Sequence, residues 1–421
     1  MNVTLLPSIP NGSIQAISSK SAAHRILICS AFADGDTVIR CDTTNKDINA
    51  TADCLRAMGA DITYNAPFFT VKPIKSIVSG TILNCNESGS TLRFLLPVAC
   101  ALGIDAKFSM SGRLPERPLS PLYEELIEHG ARLSSKGSNP LLCQGKLRGG
   151  DYRIRGDISS QFISGLLFAL TLSGIGGNLV IEGATESAPY IDMTIAALSL
   201  FDAQPKKTAY GYEISKNVKL RTPEYIDVEG DWSNAAFPLC MGAISKGVVS
   251  VTGLKNDSCQ GDRAIIEILD RFGADITFKN DTCTVKGGNP LHGIDIDASQ
   301  IPDTVPALAV VAATANGTTR IYGAARLRFK ESDRISSVCD MLTSLGADIR
   351  ETEDGLLING KTYLTGGTVD SFNDHRIAMS ASVASVACSS SVTVLGAECA
   401  EKSYPDFWKD IKNKLGIIEN T

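Results

Sequence analysis

Histidine is scarce in this chain: His24, His129, His292 and His375 are the only four in 421 residues, so a multi-histidine metal centre has little to draw on. Twelve cysteines are present, but no Cys-x-x-Cys pair occurs and none stands at metal spacing from a histidine. They read as reduced, mostly buried thiols of a cytosolic protein. No apolar run approaches the roughly 20 residues needed to cross a bilayer, and no basic segment followed by an apolar core leads the chain. The expectation is a cytoplasmic protein with no membrane partner. Positive charge is also short. Lys and Arg number 40 against 46 Asp and Glu, and the formal net charge of -6 argues against broad nucleic-acid or anionic-membrane binding. Absent too are a Gly-x-x-x-x-Gly-Lys-Ser/Thr phosphate loop, a dinucleotide fingerprint and a serine-hydrolase elbow. Any anion site must therefore be local, and the chemistry open to the chain is that of Lys, Arg, Asp and Glu without metal or organic cofactor.

What the chain does contain is repetition. Its hydrophobic fraction of 43% and charged fraction of 20% are those of a globular protein too long for one ordinary core. A helix-ending phrase recurs as Leu55-Arg-Ala-Met-Gly59, Leu126-Ile-Glu-His-Gly130, Leu269-Asp-Arg-Phe-Gly273 and Leu342-Thr-Ser-Leu-Gly346. Weaker copies put Asp202 and Gly416 in the glycine place, Asp being tolerated because it visits the left-handed region. The spacings lie between 70 and 73 residues, a period of about 71 over six units. A second series of small-residue helices, predicted to end near Gly35, Gly103, Gly174, Gly247, Gly317 and Ser389, runs out of phase with the first. Strand-like segments such as Asp36 to Cys41, Asn178 to Glu182, Val248 to Thr252, Thr319 to Tyr322 and Val392 to Leu395 follow it. The fold class is therefore α/β, six repeats divided three and three. The boundary falls near Asp227 to Glu229, after the turn signal Arg221-Thr-Pro-Glu. The leading residues precede the first unit, which suggests a discontinuous lobe of 1–18 with 229–421 and a second lobe of 19–228.

The second helix series is apolar on nearly every face, so it should line the inside of each lobe with sheets outside it. Its N-termini are the polar exceptions: Ser18 to Ser21, Glu87 to Thr91, Asp157 to Gln161, Asp231 to Asn234, Ile301 to Thr304 and Asn373 to Arg376. N-capping accounts for the Ser, Asp and Asn. It does not account for Lys20, Arg25, Arg93 and Arg376, because cations in a first turn meet the positive end of the helix dipole.

Arg326-Leu-Arg-Phe-Lys-Glu-Ser-Asp-Arg334 repeats the anomaly ahead of a helix in which Ile335, Val338, Leu342 and Leu345 recur at helical spacing. Two readings are open: a solvated, salt-bridged helix end, or an anion held by amides, Lys330 and Arg334 with Glu331 as a proton carrier. Gly112 to Pro118 presents two arginines on a proline-stiffened segment, either a plain surface loop or a carboxylate or phosphate clamp. Ser159, Ser160 and Gln161 offer donors to a second oxyanion, or merely cap. Asp303 is an N-cap or a base poised against an alcohol. His375 stands inside a cationic cluster, though a lone histidine is more often structural.

Together Ser19-Lys-Ser21, Glu116-Arg-Pro118, Ser159-Ser-Gln161, Lys330-Glu-Ser-Asp-Arg334, Asn373-Asp-His-Arg376 and Ala400-Glu-Lys402-Ser-Tyr-Pro-Asp406 occur in the order seen in the EPSP synthase family, the 3-phosphoshikimate 1-carboxyvinyltransferases. From about residue 18 to residue 408 the chain resembles that enolpyruvyl transferase family. The resemblance implies a two-lobed inside-out α/β barrel with the active site in the cleft between the lobes, and a monomer whose partners are small anionic substrates. It implies transfer of the enolpyruvyl group of phosphoenolpyruvate to the 5-hydroxyl of shikimate 3-phosphate, a step toward chorismate and the aromatic amino acids. Carried over by motif, Lys20, Ser21, Arg25, Ser159, Ser160, Gln161, Ser187, Tyr190, Asp303 and Lys330 bind shikimate 3-phosphate. Lys20, Gly89, Arg117, Gln161, Arg334, Arg376 and Lys402 bind phosphoenolpyruvate. Asp303 takes the hydroxyl proton, Glu331 or Lys20 delivers one to the methylene carbon, and His375 orients Glu331. No cofactor is implied.

Departures from the family pattern are local. Ile17-Ser-Ser-Lys-Ser21 replaces Pro-Gly-Ser-Lys-Ser, and Glu87-Ser-Gly-Ser90 replaces Asn-Ala-Gly-Thr. Arg326 stands where many members have an asparagine, and neither it nor Glu87 inherits a role. The sister enzyme acting on a UDP-amino sugar carries a reactive cysteine in the loop that is Gly112 to Pro118 here, which has none. An anion-binding regulatory protein is the non-enzymatic alternative. It predicts loss of Asp303, Glu331 or Lys20, and all three are present.

Overall fold

The computed structural model describes residues 1–420, and two kinds of helix alternate along them. In the unit formed by Ser18–Val228, these are α1 (Lys20–Ala31), α2 (Lys46–Met58), α3 (Gly89–Leu102), α4 (Leu122–Glu128), α5 (Ser160–Leu172) and α6 (Ala188–Leu200). In the unit formed by Met1–Ile17 with Glu229–Thr421, they are α7 (Trp232–Ala243), α8 (Ile265–Phe272), α9 (Val305–Thr314), α10 (Arg334–Ser344), α11 (His375–Ser385) and α12 (Phe407–Leu415). Each even-numbered helix is followed by a left-handed residue that turns the chain back. These are Gly59 (φ +116°), Gly130 (+111°), Asp202 (+59°), Gly273 (+98°), Gly346 (+84°) and Gly416 (+71°). Five are glycine because a Cβ is strained in that region, and aspartate is among the few other residues that enter it.

Among the described residues six four-stranded sheets share one pairing scheme. Tyr225–Asp227 runs parallel to Thr37–Arg40, which is antiparallel to Phe68–Lys72, itself antiparallel to Asp61–Asn65. The same order of one parallel and two antiparallel pairings is built around Ala106–Ser109 and Gly177–Glu182 in the first unit. It recurs around Val248–Thr252, Thr318–Tyr322 and Val392–Leu395 in the second. The leading segment completes two sheets of the second unit: Asn2–Leu5 pairs with Val392–Leu395, and Gly12–Gln15 with Val248–Thr252.

Each unit has its own hydrophobic core. α3 packs along α5, with Phe94 and Phe168 edge to face at 5.6 Å, while α7, α9 and α11 pack on one another. Every residue of α7 and α11 is buried, as an all-round apolar helix requires. Each large side chain so withdrawn from water contributes about 1.5–3 kcal/mol before entropy is charged against it. The odd-numbered helices stop earlier than their glycines suggest. α1, α5, α7, α9 and α11 are capped at Phe32, Ser173, Ile244, Ala315 and Val386, and only Gly103 caps its own helix. Gly35, Gly174, Gly247, Gly317 and Ser389 instead lie in the turns that lead into the next strand.

Candidate active site

Within Ser18–Val228 the polar helix starts do two jobs. Ser19, Ser88 and Ser159 accept amide protons at the N-termini of α1, α3 and α5. The cations beside them are tied to other elements. Lys20 Nζ lies 2.8 Å from Asp47 in the first turn of α2. The buried Arg25 donates from Nε to Thr194 Oγ1 (2.8 Å), from Nη1 to the Ser21 carbonyl (2.7 Å) and from Nη2 to the Tyr190 carbonyl (2.8 Å). Its guanidinium also sits over the Phe94 ring. Arg25 thus gathers Ser21 and Tyr190 around one buried charge. Ser187, buried with φ +51°, immediately precedes α6.

A second group surrounds the start of α3. Arg93 donates from Nη1 to Gln161 Oε1 (2.7 Å) and from Nη2 to the Pro118 carbonyl (3.0 Å), while Gln161 Nε2 donates to Ser90 Oγ (2.9 Å). The Arg117 guanidinium lies so close to Gly89 that an added Cβ would stand 3.1 Å from Nη1. The crowding at Gly89 is one of space, since its backbone is not left-handed, and a Cβ would require Arg117 to give way by a few tenths of an ångström. A Cβ at Gly112, by contrast, would collide with the Glu87 carboxylate. Beneath these groups His24 Nδ1 is hydrogen-bonded to Thr51 Oγ1 (2.7 Å), Thr51 to Thr91 (2.7 Å), and Thr91 Oγ1 to Ser88 Oγ (2.8 Å). Burial pushes the His24 imidazole down to about 3, so it is neutral.

The other unit concentrates charge. Arg334 opens α10 and is wholly buried. Nε donates to Asp374 Oδ2 (2.8 Å), Nη1 to Asp303 Oδ1 (3.0 Å), and Nη2 to Glu331 Oε2 (2.8 Å) and Asp374 Oδ1 (3.2 Å). Arg376, in the first turn of α11, donates from Nη1 to the Asp303 carbonyl and from Nη2 to Asp303 Oδ2, both at 3.0 Å. Lys330 Nζ stands 3.7 Å from Asp303 Oδ1, Lys402 Nζ 3.8 Å from Glu331 Oε1, and His375 Nδ1 3.7 Å from Asp374 Oδ1. Asp374 also caps α11 by accepting the Arg376 amide at 2.9 Å. The unfavourable cations at these helix starts are therefore balanced by carboxylates of the chain itself. Asp303 is not an N-cap: Thr304 holds that place without a side-chain capping bond, and the Asp303 carboxylate is given to two arginines. Arg326 donates to the Ser299 carbonyl.

Electrostatics follow from this packing. Burial alone would raise the Asp303 carboxyl, but Arg376, Lys330 and Arg334 hold it well below the ordinary carboxylate range. Burial pushes the Lys330 ammonium down to about 8, against the pull of Asp303. Burial also works against the Arg334 charge, yet Asp374, Glu331 and Asp303 hold that group cationic.

Every residue expected to serve a substrate lies in one of these clusters or at the helix start beside it. Asp303, Lys330, Glu331, Arg334, Arg376 and Lys402 form one connected network, with His375 beside Asp374. Lys20 pairs with Asp47 within Ser18–Val228. Sequence reasoning passed over Asp47, the buried Asp262 that accepts a hydrogen bond from Ser233 Oγ, the bonds of Asp374 to Arg334, the hydrogen bonds of Thr51 and Thr194, and the bridging role of Arg93. The advance signals among them were Asp374 inside the Asn373-Asp-His-Arg376 phrase and Arg93 as a cation in a first turn.

A family model described as EPSP synthase (3-phosphoshikimate 1-carboxyvinyltransferase) matches residues 7–411. The 3-phosphoshikimate 1-carboxyvinyltransferase of Clostridium kluyveri is 40% identical over 419 residues, 99% of this chain and 98% of that protein. That of Clostridium acetobutylicum is 41% identical over 425 residues, again 99% and 98%. The solved structure of EPSP synthase from Acinetobacter baumannii superposes with a TM-score of 0.83 at 29% identity, covering 100% of both chains. With that similarity running nearly end to end and the family's charged motifs assembled around Asp303, the chain belongs to the EPSP synthase family.

Proposed function

We propose that this chain transfers the enolpyruvyl group of phosphoenolpyruvate to the 5-hydroxyl of shikimate 3-phosphate, giving 5-enolpyruvylshikimate 3-phosphate and phosphate. The observation that carries this reading is Asp303 held between Arg334, Arg376 and Lys330, with Glu331 on the same arginine. The family's fold, an inside-out α/β barrel of six repeats in two lobes (1–18 with 229–421, and 19–228), is supported by the six sheets of one pairing scheme.

Chemically, the hydroxyl oxygen attacks C2 of phosphoenolpyruvate while C3 gains a proton and becomes a methyl group. Loss of phosphate from C2 and of a proton from C3 then restores the enol. Asp303 receives the hydroxyl proton and Glu331, or Lys20, supplies the one at C3. In the free chain Asp303 is a weak base, because three cations stabilise its charge. An anionic substrate that takes up Arg334 and Arg376 weakens that hold and raises its basicity where the proton must be received. Lys20, Gly89, Arg117, Gln161, Arg334, Arg376 and Lys402 hold phosphoenolpyruvate. Lys20, Ser21, Arg25, Ser159, Ser160, Gln161, Ser187, Tyr190, Asp303 and Lys330 hold shikimate 3-phosphate, and His375 orients Glu331. The cations let two polyanions meet, which is the larger part of the proximity problem. The protein works as a cytoplasmic monomer and binds neither nucleic acid nor membrane. No helix among the described residues is long and apolar enough to cross a bilayer.

The test is phosphate release from phosphoenolpyruvate with shikimate 3-phosphate, with UDP-N-acetylglucosamine, and with neither, Glu331→Gln being assayed in parallel. Release that needs shikimate 3-phosphate and falls by about 10²-fold or more in the variant is expected. Release with the UDP-sugar alone, or with neither acceptor, refutes the assignment.

A further inference from the structure

Three buried side chains that the mechanism above does not use, His24, Thr51 and Thr91, join α1, α2 and α3 near their starts. α1 and α2 are zipped by two rungs: Lys20 to Asp47 at 2.8 Å, and His24 Nδ1 to Thr51 Oγ1 at 2.7 Å. Residues four apart share a helix face, so the second rung repeats the first one turn further along both helices. Thr51 then reaches α3. Its Oγ1 lies 2.7 Å from Thr91 Oγ1, and Thr91 Oγ1 donates to Ser88 Oγ at 2.8 Å. Ser88 also accepts the Thr91 amide at 3.2 Å, the bond that caps α3 directly ahead of Gly89. His24, Thr51, Thr91 and Ser88 are all withdrawn from solvent.

Each hydroxyl has one proton to give. The Thr91 proton goes to Ser88, so the proton between the two threonines belongs to Thr51. Thr51 then has none left for His24, and the neutral imidazole carries its hydrogen on Nδ1 and leaves Nε2 bare. The order runs one way, from His24 through Thr51 and Thr91 to Ser88. We propose that Thr51 is a positioning residue for phosphoenolpyruvate, the junction through which α1 and α2 fix where α3 begins and so where Gly89 meets its ligand. This rests on the enolpyruvyl-transfer reading. Hydroxyls bonded in series away from water hold one geometry, because any slip strands a donor. Lys20 stands on the outer rung and Gly89 beyond the last link, so Thr51 sets the spacing of two residues assigned to that substrate.

The experiment compares Thr51→Val, which keeps nearly the same shape and removes the hydroxyl, with Thr51→Ser, which keeps the hydroxyl. In Thr51→Val, KM for phosphoenolpyruvate is expected to rise about 10-fold, with kcat within about 2-fold and KM for shikimate 3-phosphate unchanged. Thr51→Ser restores the wild-type value. A network that serves stability alone lowers the urea midpoint of Thr51→Val and leaves both KM values in place, which overturns the proposal. The proton order is read separately from the nitrogen resonances of histidine-labelled wild type, His24 being assigned by their loss in His24→Gln. A protonated Nδ1 and a bare Nε2 are expected. The reverse tautomer takes the Thr51 proton, cuts the link to Thr91 and overturns the proposal. Where Thr51→Val fails to fold, Thr91→Val, which cuts the same chain one link nearer Ser88, decides by the same KM values. A wild-type chain without turnover overturns the transfer and this role with it, whereas an active wild type with unmoved KM in the valine variant overturns only the role of Thr51.

Discussion

Acid should loosen the Ser18–Val228 unit earlier than its carboxylates alone require, and His24 is the reason. The side chain is fully buried on α1, its Nδ1 is taken by Thr51, and its Nε2 has no hydrogen-bond partner among the described residues. Protonation would bury a charge and leave a second N–H unsatisfied. Burial is the largest influence, and the Asp47 charge is opposed by Lys20 and Arg25, leaving the imidazole at about 3 against an ordinary 6.5. The sign follows. Between pH 6.5 and 3 the unfolded chain binds a proton that the folded chain refuses, so stability is complete above pH 6.5 and is lost as pH falls. Each unit of pH in that window costs about 1.4 kcal/mol, or about 3 kcal/mol by pH 4. His24→Gln removes the titration while keeping an amide able to meet Thr51. Amide hydrogen exchange of α1 and α3 peptides, read for both proteins at pH 7.5 and pH 4, isolates this unit from the other. The variant is expected to begin less stable and to close about 3 kcal/mol of the difference at pH 4. A constant difference across that range would refute the reasoning, because every other titrating group is common to the two proteins.

Gly89→Ala sets a methyl 3.1 Å from Arg117 Nη1. Arg117 borders a cavity of about 370 Å³ into which it can shift, so thermal stability should hardly change while KM for phosphoenolpyruvate rises. Unchanged KM removes Gly89 from the site. Arg334→Lys keeps the charge but cannot reach Asp374, Asp303 and Glu331 together. A buried Asp374 short of donors should cost about 3–5 kcal/mol, read as a lower urea midpoint. Asp262→Asn removes a carboxyl that the folded chain holds protonated up to about pH 6. In wild type, stability falls as pH rises from about 4 to 6, so the variant should gain about 3 kcal/mol at pH 7.5 and nothing at pH 4, as differential scanning at the two pH values would record.

The fold was legible because its strongest signals are local. A left-handed residue after every even-numbered helix needs glycine or a residue such as aspartate, and six such positions at one spacing declare a repeat before any contact is known. The starts of the odd-numbered helices were legible through capping, as Ser19, Ser88, Ser159, Asp231 and Asp374 bear out. Their ends were not. The glycines that attract the eye lie several residues beyond the last helical turn in most cases, where they serve the following strand.

The cations were legible and their partners were not, for a physical reason. A lysine or arginine in a first turn opposes the helix dipole, and that is visible in any single helix. Whether a carboxylate of the chain or a ligand resolves the conflict depends on pairings such as Asp303 with Arg334 and Arg376, or Lys20 with Asp47, which no local spacing encodes. In this molecule the two resolutions compete for the same guanidinium groups. Asp303 pairs with two arginines in the free chain, and the proposed substrate binds those same arginines, so occupancy and base strength are coupled. An Asp303 left free of arginine would be pushed up by its burial and would be drawn toward a proton with no substrate bound. One held as tightly in the complex as in the free chain would be too weak a base to accept one at all.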